Sequence, residues 1–222
     1  MFLFYEYRFF TLGFAWYTWI LAYIGYDFMS FIIHYYSHRI RFLWCIHSVH
    51  HSPKELKASV SFRGSFAEFL VAPHLILWLP LLGFHPLQIL IVEGVGQLYG
   101  VPLHFSDALF KKKSRKLRAL GKYIVTPAFH RLHHAKNKIY LDVNFALTFT
   151  LWDRLFNTYQ DFVEDEKPVY GVRTEVNPSN IYEAHTDEFK RLWIDIKNAS
   201  SWKDRIFYIF KHPGWKPTAT PS

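Results

Sequence analysis

Apolar residues in this chain come in long blocks, separated by segments rich in charge and histidine. From Phe9 to Tyr26 only Thr11 and Thr18 are polar, and after Asp27 the apolar run resumes from Phe28 to Ile33. A bilayer core takes roughly 20 apolar residues at about 1.5 Å each, so 9–33 predicts a membrane helix. A buried soluble helix is the competing reading. This helix ends at His34 and His38, followed by Arg39 and Arg41. Two shorter apolar runs, Phe66–Leu82 and Leu87–Leu103, are split at Gly83-Phe84-His85-Pro86, where glycine and proline mark a turn. They predict a hairpin over 66–105 that tilts or dips through the membrane, kinked at Pro73 and Pro80. Residues 106–222 are mostly polar and predict a mainly cytosolic cap. Within the cap, Phe145–Phe156 predicts an amphipathic helix lying on the membrane, and Ile181–Lys197 predicts a further helix. The expectation is an all-α integral membrane protein, residues 1–222 forming a single domain with about three membrane-embedded helices.

Composition sharpens that picture. Aromatic residues make up 20% of the chain, a share that suits a bilayer interface. The net charge is +8, and the basic residues Arg39, Arg41, Lys111–Lys113, Arg115, Lys116 and Arg118 fall on one predicted face. The positive-inside tendency assigns that face to the cytoplasm, of a bacterial inner membrane or the endoplasmic reticulum. No helix-turn-helix, zinc-finger or RNA-binding signature accompanies the charge, so nucleic acid is not expected as a partner. Cys45 is the single cysteine, which excludes an intrachain disulfide and predicts a buried free thiol. Residues 1–8 lack a basic leader, so no cleavable signal peptide is expected.

The most specific feature is histidine spacing. His47-Ser-Val-His50-His51 and His130-Arg-Leu-His133-His134 are two copies of one pattern, and His34 and His38 stand four apart just upstream. Residues three and four apart share a helix face, so each stretch presents imidazoles side by side. Neutral imidazole is the commonest metal ligand and suits iron, zinc, copper and nickel. A closed zinc site needs four ligands, so eight histidines are enough for two ions. His104 ends an apolar run at the same predicted face and is a ninth candidate. His74, His85, His185 and His212 lack motif context and read as structural or surface histidines.

The series His34/His38, His47/His50/His51 and His130/His133/His134 resembles the fatty acid hydroxylase/sterol desaturase superfamily of membrane di-iron oxygenases. Further features look like its alkylglycerol monooxygenase branch. These are Ser59-x-Ser61-x-Arg63-x-Ser65, Thr126-Pro127, Asn137 with Asp142-Val143-Asn144, Trp152-Asp153-Arg154, and Tyr170-Gly171. Departures from that branch are Phe129 where histidine is frequent, Gly100 where glutamine is frequent, and the basic insert Lys111–Lys116. Family members usually carry one or more earlier membrane helices, so a homodimer or another subunit is an expected way to complete the embedded part.

The resemblance implies two irons, held by His34, His38, His47, His50, His51, His104, His130, His133 and His134. It also implies O2 as oxidant, oxygen insertion into a C–H bond of a fatty acyl, ether-lipid or sterol-like substrate, and an external reductant. That reductant is a tetrahydropterin or a ferredoxin- or cytochrome-type donor protein. Asp27, Asp142, Asn144 and Asp153 are candidates for outer groups that orient the rings; helix capping or ion pairing is the other reading of these carboxylates. Two rivals stand beside the hydroxylase: a lipid desaturase on the same scaffold, and a non-catalytic metal-binding membrane protein. A zinc hydrolase is disfavoured because His-Glu-x-x-His is absent.

Overall fold

In the computed structural model, residues 1–71, 77–105, 119–174 and 176–217 are described. The described residues are helical with no strand; extended contacts are limited to the bridges Ile124–Phe149 and Ala135–Tyr170. The all-α expectation therefore holds. The helices are α1 (Phe2–Glu6), α2 (Trp16–Arg39), α3 (Arg41–His51), α4 (Trp78–Leu82), α5 (Pro86–Leu103), α6 (Pro127–His133), α7 (Leu151–Leu155), α8 (Ile181–Asn198) and α9 (Trp202–Phe210).

The expected 9–33 helix starts later and runs further, over Trp16–Arg39. Residues before it are held otherwise: the Phe9 amide donates to the Leu81 carbonyl and the Leu12 amide to the Gly83 carbonyl. Within the expected 66–105 hairpin, residues 72–76 lie outside the described residues. Among the described residues there, a 3-10 turn covers Phe66–Leu70, α4 is five residues long and α5 runs over 18 residues. Gly83 closes α4 at φ 105°, a left-handed conformation that glycine adopts freely. Pro86 then fills the first position of α5, and His85 caps it by accepting from the Leu87 amide. No described helix is long and apolar enough to cross a membrane. The reason is local: Asp27 and several tyrosines interrupt α2, and Gln88, Glu93 and Gln97 interrupt α5. Pro73 and the basic insert Lys111–Lys116 lie outside the described residues.

Three packed layers place the site. Ala22 and Tyr26 of α2 meet Leu79, Phe84, Ile89 and Val92. The approach is close at Gly96, where a Cβ would strike the Tyr26 ring. Phe31 of α2 packs with Leu103, Val125, Phe129, Phe145 and Ala146. Cys45 of α3, buried and unpaired as expected, packs with Leu192 of α8 and Tyr208 of α9. α8 and α9 are capped in the way their sequence suggests, by Asn180 and Ser201 side chains accepting from Glu183 and Asp204 amides.

The stretch 145–156 is not one amphipathic helix. Only Leu151–Leu155 is helical, because two buried carboxylates take the preceding amides. Asp153 accepts from the Phe145 and Ala146 amides at 2.8 and 3.0 Å. Asp27, reaching across from α2, accepts from the Thr148 and Phe149 amides at 2.8 and 3.1 Å and from the Trp152 indole at 2.8 Å.

Candidate metal centre

α2 and α3 are separated by one extended residue, Ile40 at φ −114° and ψ 119°, so the chain folds back at once. That turn brings His34 and His38, one turn apart on α2, against His47 and His51 of α3, which also carries His50. Thr126 caps α6 by accepting from the Phe129 amide, with Pro127 at its first position. This short helix carries His130 and His133, with His134 just past its end, and His104 follows the last residue of α5.

All nine candidate histidines converge, in two groups. His34, His38, His47, His51 and His133 form one; His50, His104, His130 and His134 form the other. Ligand atoms within each group lie within 4.8 Å of one another. Each His-x-x-His-His motif is divided between the groups. His47 and His51 enter the first and His50 the second, whereas His130 and His134 enter the second and His133 the first. The groups touch where His51 stacks on His134 with ring centroids 4.4 Å apart.

Ring orientation is fixed from outside. The Nδ1 atoms of His34, His50, His104 and His133 lie 2.7, 3.2, 3.0 and 2.9 Å from the carbonyls of Phe145, Arg63, Gly100 and Val143. A carbonyl only accepts, so each of these Nδ1 atoms carries the proton and each Nε2 is left with a lone pair. Those Nε2 atoms face inward. His51 Nε2 stands 3.2 Å from His47, 3.2 Å from His38 and 3.1 Å from His133. His104 Nε2 stands 3.2 Å from His50, 3.0 Å from His130 and 3.2 Å from His134, and the last two are 3.0 Å apart. The buried His34 Nε2 has no hydrogen-bond partner. His50 and His104, both protonated on Nδ1, thus bring two lone pairs to 3.2 Å, which repel unless a cation lies between them. Two nitrogens about 2.1 Å from one cation and at about a right angle stand about 3.0 Å apart. The donor set therefore fits two metal ions.

Electrostatics agree. Burial and neighbouring imidazoles hold His34, His47, His51, His130, His133 and His134 well below the usual histidine range, and burial pushes His50 down to about 3. They stay neutral, the form that binds metal.

The four candidate outer groups do not behave alike. Asp142 alone touches a clustered histidine, with Oδ1 3.4 Å from His38 Nδ1. Asp27 and Asp153 contact no histidine; they pin the 145–150 backbone, and so aim the Phe145 carbonyl at His34. Asn144 exchanges hydrogen bonds with the Gln160 backbone. Burial pushes Asp153 up to about 6, even though Thr158 and two amides donate to it. Arg63, prominent in the sequence, ties the end of α3 through Val49 and Ser52 and offers its own carbonyl to His50. Gly100 needs no side chain for its contact, since its carbonyl holds His104. His212, without motif context in the sequence, has its Nε2 2.7 Å from Asp142 Oδ2. Nothing local in the sequence marks it; only the return of the chain after α9 brings it there.

A cleft of about 610 Å³ opens onto this centre. His38, His51, His133 and His134 line it together with Arg41, Lys136, Asp142, Arg173, Glu188, Arg191, Asp195, His212 and Lys216.

The family model described as fatty acid hydroxylase matches residues 19–158, more than half of the chain. Among curated proteins the chain is similar to the alkylglycerol monooxygenase of Homo sapiens, 29% identical over 207 residues covering 90% of this chain and 43% of that protein. It is similar to that of Danio rerio at 28% over 207 residues, covering 91% and 43%, and to that of Caenorhabditis elegans at 28% over 179 residues, covering 79% and 33%. The chain thus spans less than half the length of these relatives. No solved structure matches.

Proposed function

The chain belongs to the fatty acid hydroxylase family, and from that premise we propose that it is an O2-dependent lipid monooxygenase with two histidine-bound irons. The observation that carries the proposal is the pair of adjacent groups of neutral imidazoles, with four rings locked by backbone carbonyls so that Nε2 points inward. Iron, when bound there, supplies the redox chemistry that O2 activation and attack on an unactivated C–H bond require, which zinc lacks. The protein's own part is positioning and exclusion. Phe145 packs beside His34 and His38, Phe31 packs behind Phe145, and both are buried, so that flank of the centre is closed to water. Asp27 and Asp153 fix the loop that presents the Phe145 carbonyl.

The substrate we infer is a membrane lipid, with an alkylglycerol-type ether lipid first, as the names of the relatives suggest. Support comes from the surface. Phe9, Phe10, Phe14 and Trp16 are exposed near the start of α2, and Leu87, Leu90, Ile91, Val95 and Leu98 are exposed along α5. Apolar surface of that extent marks a membrane contact, so the protein is proposed to embed this side in the bilayer. The polar cleft then faces the cytoplasm and admits reducing equivalents from a reduced pterin or a donor protein.

The test is metal content of detergent-purified protein grown with ample iron, paired with O2 uptake and product analysis on an alkylglycerol. About two irons per chain, with lipid-dependent O2 consumption, is the expected result. Zinc alone, with no O2 uptake after anaerobic iron loading, would favour the non-catalytic reading; a new double bond in the product would favour the desaturase.

A further inference from the structure

The segment after α9 lies beyond the 19–158 family match, yet it returns to the centre. We propose that His212 is a positioning residue for the five-histidine group, acting through Asp142, so that this C-terminal segment helps set how tightly that group holds its ion. The inference rests on the reading of both groups as metal sites.

The hydrogen-bond order can be worked out without assuming any change of charge. The Gly214 amide donates to His212 Nδ1 at 3.0 Å, so Nδ1 must be the unprotonated nitrogen. The proton of the neutral ring is then on Nε2, which donates to Asp142 Oδ2 at 2.7 Å. The other carboxylate oxygen, Oδ1, faces His38 Nδ1 at 3.4 Å. With that Nδ1 as donor, His38 Nε2 keeps its lone pair and points into the group, 3.2 Å from His51 Nε2. One amide, one imidazole and one carboxylate thus hold His38 from outside. Among the described residues no other clustered histidine pairs with a carboxylate; four use backbone carbonyls instead. A carboxylate behind a ligating imidazole raises its basicity and fixes its ring.

The segment is itself anchored, so His212 is not a chance surface contact. The Arg41 amide donates to the Lys211 carbonyl at 2.9 Å. Lys216 joins Arg41 on Asp195, and Trp215 packs edge-on to Tyr208 at 5.1 Å. Exposure rises in steps along the chain of contacts, from 6% at His38 to 24% at Asp142 and 44% at His212. Asp142 holds φ at 56°, a left-handed turn that aspartate tolerates better than most residues and that directs its carboxylate between the two histidines.

The experiment is a cobalt(II) titration of the full chain in detergent against a competing chelator, with visible absorption reporting each site. In the parent protein two sites fill. His212→Ala is expected to weaken one of them by about 10- to 100-fold and leave the other unchanged. His212→Gln, whose amide N–H can reach the same carboxylate oxygen, is expected to stay within about threefold of the parent. His212→Asn, too short to reach, should match the alanine variant and replaces it if that variant does not fold. Unchanged affinity in the Ala or Asn variant overturns the proposal. So does equal weakening of both sites that glutamine fails to rescue, since that marks a purely structural role. A parent chain that binds no cobalt overturns the two-site reading beneath it.

Discussion

The five-histidine and four-histidine groups are built from the same motifs and share a wall, but they meet their surroundings differently. The first has three members, His38, His51 and His133, on the floor of the polar cleft, and a carboxylate, Asp142, behind one ring. The second reaches the cleft only through His134. Its rings are held by the carbonyls of Arg63 and Gly100, and His130 Nδ1 is buried with no partner. The difference teaches that a repeated motif need not make a repeated site. Because each motif is split, neither group can be assembled without both motifs, and damage to one helix reaches both groups.

The largest effect tests that division. Alanine at His50 or His134 should remove the same ion, although they lie in different motifs; alanine at His47 or His133 should remove the other. Metal analysis should read about one ion per chain in each variant, with oxygen insertion abolished. Metal loss that paired His47 with His50, and His133 with His134, would break the crossed assignment.

Next in size is the effect of acid on the metal-free protein. Six of these histidines are held well below their usual pKa by burial and His50 is at about 3, so the unfolded chain holds more protons than the folded one below about pH 6.5. Stability is thus fully present above about pH 6.5 and is lost as pH falls toward 3, by up to about 1.4 kcal/mol per histidine for each pH unit. Melting temperature of chelator-treated protein should fall steeply between pH 6.5 and 5, and bound metal should shift that fall to lower pH. A flat profile for the metal-free protein would show the imidazoles to be solvated.

Asp153→Asn should destabilise by roughly 2–4 kcal/mol, because its new amide meets a donor where a carboxylate oxygen accepted from Ala146 or Phe145. Since the Phe145 carbonyl holds His34, the metal loss should fall first on the five-histidine group, which site-resolved cobalt titration can read. Gly96→Ala should cost the least, about 1–3 kcal/mol, through the Tyr26 ring it would strike. That contact is remote from both groups, so thermal stability should fall while relative occupancy of the two stays unchanged.

The histidine spacing, read as helical, named eight of the nine residues that converge, the end of an apolar run named His104, and apolar runs marked α2 and α5 to within several residues. Both signals are local: a period of 3.6 residues and a block of apolar side chains are visible along the chain itself. Element length was less legible. Residues 9–15 look as apolar as α2, but their amides bond to the α4 turn, and 145–150 lost its helix to two distant carboxylates. From the sequence, Asp27 and Asp153 are candidates either to orient the rings or to cap a helix or pair with charge; in the fold both accept from backbone amides. The sequence by itself determined a helical chain with two metal sites' worth of imidazole and the family it resembles. Only the tertiary structure decided which imidazole joins which site, that Asp142 stands behind His38, and that His212 stands behind Asp142. The reason is physical: periodicity sets which residues share a helix face, whereas partners on different helices are set by how those helices pack, and that information is spread over the whole core.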